Sequence, residues 1–187
     1  MSLSRGTIVR TAMDIMDAYG LADLSMRRLA AALDVQPSAL YWHFPSKQAL
    51  LAAVSDAVLA DLPPFSGRDP ATALREWAAH FNAALRRHRS GAEVVSSALA
   101  LGRWDSGPGA RVERELIAAG IAPDRARAAA TGVLYLVLGH AFDAEQRAQA
   151  AELGVIDAAA PTSDATLDAA VALLVAGMTA AGVDEVN

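Results

Sequence analysis

The run from Leu24 to Leu51 constrains this chain more than any other stretch. It reads as two short helices joined by a tight turn, followed by the start of another helix. Leu29, Ala30 and Leu33 put small and apolar groups on one face of the first short helix, and Ser25 is a suitable N-cap for it. Asp34-Val35 makes the turn, because Asp tolerates a left-handed backbone, though less cheaply than Gly. Pro37 suits the first turn of the next helix, where its missing N–H costs nothing. Leu40 and Phe44, four residues apart, point to the core, which leaves Ser38, Ala39, Tyr41, Trp42 and His43 facing outward. An exposed Tyr-Trp-His on a short helix calls for a cover, and a helix-turn-helix laid in a DNA major groove provides one.

The flanking sequence is helical throughout. A helix is expected from Ser4 or Thr7 to Tyr19, stopped by Gly20. Ser46 caps a fourth helix carrying Leu50, Leu51, Val54, Val58 and Leu62, which ends at Pro63-Pro64. Asp69-Pro70 opens a fifth, with Leu74, Trp77, Phe81, Leu85 and His88 in one stripe, broken at Ser90-Gly91. Further helices are expected over about 92–101, 110–119 and 123–152. Ser163 or Asp164 caps the last one, whose Leu167, Val171, Leu174 and Met178 form its apolar stripe. The expected fold class is all-α. A three-helix helix-turn-helix domain spans residues 1–48, a connecting helix spans 46–62, and a larger helical domain spans 63–187.

Hydrophobic residues make up 53% of the 187, yet aromatics only 5%, so Ala carries much of the apolar count and favours helix. No run of about 18 apolar residues suggests a membrane span, and Asp14 and Asp17 interrupt any signal-like pattern. The absence of Cys excludes disulfides and thiol chemistry and fits a cytoplasmic protein. The net charge of −5 divides unevenly: residues 1–48 carry +1 and the remainder −6. The acidic excess therefore lies away from the proposed DNA face, although so small a basic excess implies a shallow salt dependence. The histidines, His43, His80, His88 and His140, show no metal-binding spacing, so no metal or other cofactor is expected.

Leu40-Tyr41-Trp42-His43-Phe44, followed by Ser46-Lys47 and a Leu-rich helix, resembles the TetR-type transcriptional repressors, the tetracycline repressor branch in particular. Two further stretches, Phe81 to Val94 and Gly139 to Gln146, resemble later parts of the same branch more diffusely. The resemblance implies a homodimeric repressor whose larger domain binds a ligand and dimerises, with the fourth helix as the lever between domains. It places base-facing positions on Arg27, Gln36, Pro37, Ser38, Ala39 and Trp42, and phosphate and sugar contacts on Tyr41, His43 and Lys47. Gln36-Pro37-Ser38-Ala39 departs from the branch in the order of its polar residues, which implies a different operator. Two-fold operators need two-fold proteins, with recognition helices about 34–36 Å apart. Gly132 and Gly139 leave small patches on the long helix, which with the last helix would form a four-helix bundle between two chains.

The same resemblance puts the branch's drug- and metal-contacting positions on Pro63, Trp77, Phe81, Val95, Ala98 and Asp143. Two histidines, an asparagine and a threonine are replaced by Pro63, Val95, Trp77 and Ala98, and one carboxylate alone is a poor Mg²⁺ site. A tetracycline–metal chelate is therefore not expected. A small hydrophobic effector is expected instead, with Trp104 and Tyr135 adding stacking surface. Three alternatives stand beside this reading: a ligand that promotes DNA binding, a regulator without a ligand, and an enzyme on a helical scaffold that uses His140 and Asp143.

Overall fold

The computed structural model describes residues 3–65, 69–102, 107–157 and 163–180. The described residues form helices joined by turns: α1 (Arg5–Tyr19), α2 (Met26–Ala32), α3 (Pro37–Tyr41), α4 (Lys47–Val58), α5 (Pro70–Arg86), α6 (Gly91–Ala100), α7 (Pro108–Ala118), α8 (Pro123–Glu152) and α9 (Asp164–Thr179). The capping chemistry follows the sequence. The hydroxyls of Ser4, Ser25 and Ser46 accept from the amides of Thr7, Arg28 and Ala49. Asp69 accepts from the amides of Ala71 and Thr72 at the start of α5. The Thr72 hydroxyl and amide hold the Asp69 carboxyl below its ordinary range. This cap is thus intact at neutral pH and is lost only as the pH falls through that lowered value.

Packing divides the chain into two compact units. The first comprises Met1–Asp61 and Ala83–Asp105. In it α1 packs on α2 and on α4, α2 on α3, and α4 on α6. Its core contains Ile8, Ala12, Met16, Leu24, Leu29, Leu40, Phe44, Leu50 and Val54, all sealed from solvent. The buried Ser55 hydroxyl donates to the Leu51 and Val94 carbonyls, a polar tie between α4 and α6. The second unit comprises Leu62–Asn82 and Ser106–Asn187 and is built on α8, which packs against α7 and α9. Small residues set those approaches. Gly109 faces the Leu134 side chain and Gly132 faces that of Leu174.

Three expectations are corrected. α4 stops at Val58 rather than Leu62. A proline disfavours helical backbone at the residue before it, and the Ala60 amide already turns to the Ala57 carbonyl in a tightened last turn. The buried stripe of α9 is Leu167, Val171, Val175 and Met178, while Leu174 lies partly exposed one residue around the helix. His88 falls outside α5 altogether and is half-buried in the bend that follows it.

Candidate nucleic-acid interface

The turn between α2 and α3 forms as its residues require. Asp34 takes a left-handed backbone at φ 53°, and Pro37 opens α3. α3 has five residues and is held from beneath by Leu40 and, just past its end, by Phe44, both fully buried. With those two side chains pointing inward, the outer side carries Gln36, Pro37, Ser38, Tyr41 and Trp42, all exposed. Trp42 is 89% exposed, the most open of the large apolar side chains described. Ala39, His43 and Lys47 are half-buried around this face, and Arg27 projects from the start of α2. The amide of Gln36 and the hydroxyl of Ser38 on this open face, and the exposed guanidinium of Arg27, are groups that can meet base edges, whereas a lysine at the first turn of α4 suits a phosphate.

Two contacts in this unit could not be read from local pattern. The Arg5 guanidinium donates to the His43 carbonyl and lies over the Phe44 ring, 4.1 Å from its centre. It therefore ties the start of α1 to the end of the helix-turn-helix across 38 residues of sequence. Arg28, one residue beyond Arg27, is engaged inward: it stacks on Tyr19 at 3.9 Å and pairs with Asp23. Arg27 is the more exposed of the two. Leu33, expected on the apolar face of α2, is half-buried and lines a cleft of about 280 Å³ together with Leu3, Thr7, Arg10, Thr11, Ala32 and Val35.

Among the candidate ligand residues, Trp77 and Phe81 are buried on α5 and stacked, with ring centres 4.9 Å apart and planes at 17°. Val95 and Ala98 are buried on α6, in the first unit. Tyr135 is 64% exposed on α8. Trp104 lies outside the described residues. Asp143 is exposed and pairs with Arg147 at 2.8 Å. His140 turns instead to Asp164 at 3.3 Å, so the two groups considered as an enzymic pair have other partners. Asn82 donates to the same Asp164 oxygen at 3.3 Å, and its own amide oxygen is buried with no partner among the described residues. No metal-binding cluster and no helix long and apolar enough to cross a membrane occur among the described residues.

Apolar positions remain exposed on both α8 and α9 of the second unit. On α8 they are Tyr135, Gly139 and Phe142, and on α9 Leu173, Leu174 and Gly177. Gly139 and Gly177 have open space where a side chain would stand. Gly132 is not among them, because that position is spent on packing Leu174 within the chain.

The sequence model for bacterial regulatory proteins of the tetR family matches residues 8–54. The tetracycline repressor protein class G of Vibrio anguillarum is 33% identical over 154 residues, covering 78% of this chain and 73% of its own. The crystal structure of Mycobacterium smegmatis BioQ superposes with a TM-score of 0.81 at 35% identity, covering 96% of this chain and 100% of its own. BioQ with its natural double-stranded DNA operator gives 0.79 at 35% identity, over 96% of this chain and 99% of its own.

Proposed function

The chain belongs to the tetR family of bacterial regulatory proteins, and on that basis we propose that it is a homodimeric, cytoplasmic repressor that reads a two-fold DNA operator and leaves it when a small, largely apolar ligand binds. The observation that carries this reading is the open face around Trp42, aligned with Gln36, Ser38 and Tyr41 above a sealed core. A side chain so apolar and so exposed is costly on an isolated surface, and a DNA groove covers it. Residues 1–48 act as the reading domain and residues 63–187 as the ligand-binding and dimerisation domain. The exposed apolar positions on α8 and α9 are the ones that a second copy covers, in a four-helix arrangement. Because the ligand favours the released state, DNA must weaken ligand binding by the same factor by which ligand weakens DNA binding.

The assigned roles separate in a titration against a selected operator. Arg27→Ala is expected to lose discrimination at one base pair per half-site, about 1–3 kcal/mol, with little change on unrelated DNA. Lys47→Ala is expected to weaken binding to all sequences alike and to reduce the salt slope by about one unit. Unchanged operator affinity in both variants would remove the assigned face from the DNA.

For the ligand domain, stacked Trp77 and Phe81 offer an apolar lining, and the unpaired amide oxygen of Asn82 on the same helix offers one hydrogen-bonding handle. Pro63 and the apolar Val95 and Ala98 supply no oxygen or imidazole for a magnesium chelate, and Asp143 is taken by Arg147. Tetracycline with Mg²⁺ is accordingly expected to leave the tryptophan emission and the operator affinity unchanged. Magnesium-dependent quenching at micromolar drug would contradict this assignment of the site.

A further inference from the structure

The bend between α5 and α6 is fastened to the end of α1 by hydrogen bonds between residues 69 to 72 positions apart. The Asp17 carboxylate accepts from Nδ1 of His88 at 2.9 Å and from the Arg89 amide at 3.1 Å. A carboxylate only accepts, so His88 carries a proton on Nδ1. In the opposite direction the Leu21 amide, just past α1, donates to the Ser90 hydroxyl at 3.3 Å. Arg87 adds a link at 3.1 Å to Asp61, beyond the end of α4. The bend is shaped for these contacts. Ser90 sits in a left-handed conformation at φ 60°. A Cβ on residue 91 would stand 2.1 Å from the Leu85 carbonyl oxygen, so only glycine lets the chain double back this tightly.

These groups are half exposed, and ion pairs in such a setting contribute little to stability. Their effect is directional. α1 also packs on α4. The hydrogen bonds at the end of α1 add a second attachment, which joins the bundle to the start of α6. We propose that Asp17, His88 and Ser90 are positioning residues for operator reading: they lock the helix-turn-helix to the α5–α6 bend, so that the recognition helix of each protomer is held at one angle to α6. This rests on the reading of the protein as a DNA-binding dimer.

The test uses the full chain and three duplexes: the selected operator, the same operator with its half-sites moved two base pairs apart, and a single half-site. Wild-type protein should strongly prefer the first. Asp17→Ala should bind the first about tenfold more weakly, discriminate less between the first and second, and match wild type on the single half-site. Ser90→Ala should shift the same way while removing only a hydroxyl, and so carries the test if Asp17→Ala melts early. Asp17→Asn, which keeps an acceptor for the Arg89 amide, should lie between wild type and Asp17→Ala. Folded variants that retain wild-type discrimination, or that lose single half-site binding in the same proportion, overturn the proposal. A wild-type protein that binds none of the duplexes overturns the DNA-binding reading itself, and the proposal with it.

Discussion

Leu173→Arg is expected to leave the chain folded but monomeric, and to weaken binding to a two-half-site operator by about 10²–10⁴-fold. Leu173 is 76% exposed on α9. An arginine there disturbs nothing within a single chain, but it would bring an unpaired charge into a two-chain bundle. The loss on DNA follows from linkage. A dimer engages its second half-site from a high effective concentration, whereas a monomer must bind each half-site independently. Sedimentation of the variant together with an operator titration checks both parts. A folded Leu173→Arg protein that remains dimeric with wild-type affinity would place the interface elsewhere. Leu174, the residue that the sequence pattern favours for this test, is less clean because its side chain rests on Gly132 of the same chain.

The second large effect is expected from Phe44→Ala. Phe44 is fully buried at the end of the helix-turn-helix and lies beneath the Arg5 guanidinium. Truncating it removes the apolar contacts of a complete ring and leaves a cavity, at a cost of about 3–5 kcal/mol. That is a large share of the about 5–15 kcal/mol that holds a typical domain folded. The stacked cation also loses its ring, so the Arg5 tie to the His43 carbonyl is weakened in the same step. Operator binding should disappear and the melting temperature should fall by many degrees. Dimerisation, which the proposed interface assigns to α8 and α9, should survive. A variant with wild-type melting and wild-type operator affinity would show that Phe44 does not hold α3 in place.

Features that a local pattern encodes were legible in the sequence. α8 has the bounds expected from Pro123 and from the helix-favouring run to Glu152, and the Ser25 and Ser46 caps form as their positions predict. The outward face of α3 followed from Leu40 and Phe44 alone, because a short helix with two core anchors leaves one side to solvent. What escaped depends on partners distant in sequence. On a helix as apolar as α9, the pattern fits Leu174 almost as well as Val175, and only the packing against α8 decides between them. Arg5 and Asp17 look like ordinary surface residues, and His88 like the last member of the α5 stripe, until the fold brings in His43, Arg89 and Asp17 respectively. Asp143 and His140, three residues apart on α8, suggested a pair, but each finds a nearer partner in Arg147 and Asp164.

Selection of bound duplexes from a random-sequence pool by the full-length wild-type protein tests the central claim most directly. The expected product is one enriched sequence with two-fold symmetry, its half-site centres about 10–10.5 base pairs, or a multiple of that, apart. Recovery of all sequences alike, with binding that depends only on duplex length and salt, would contradict it.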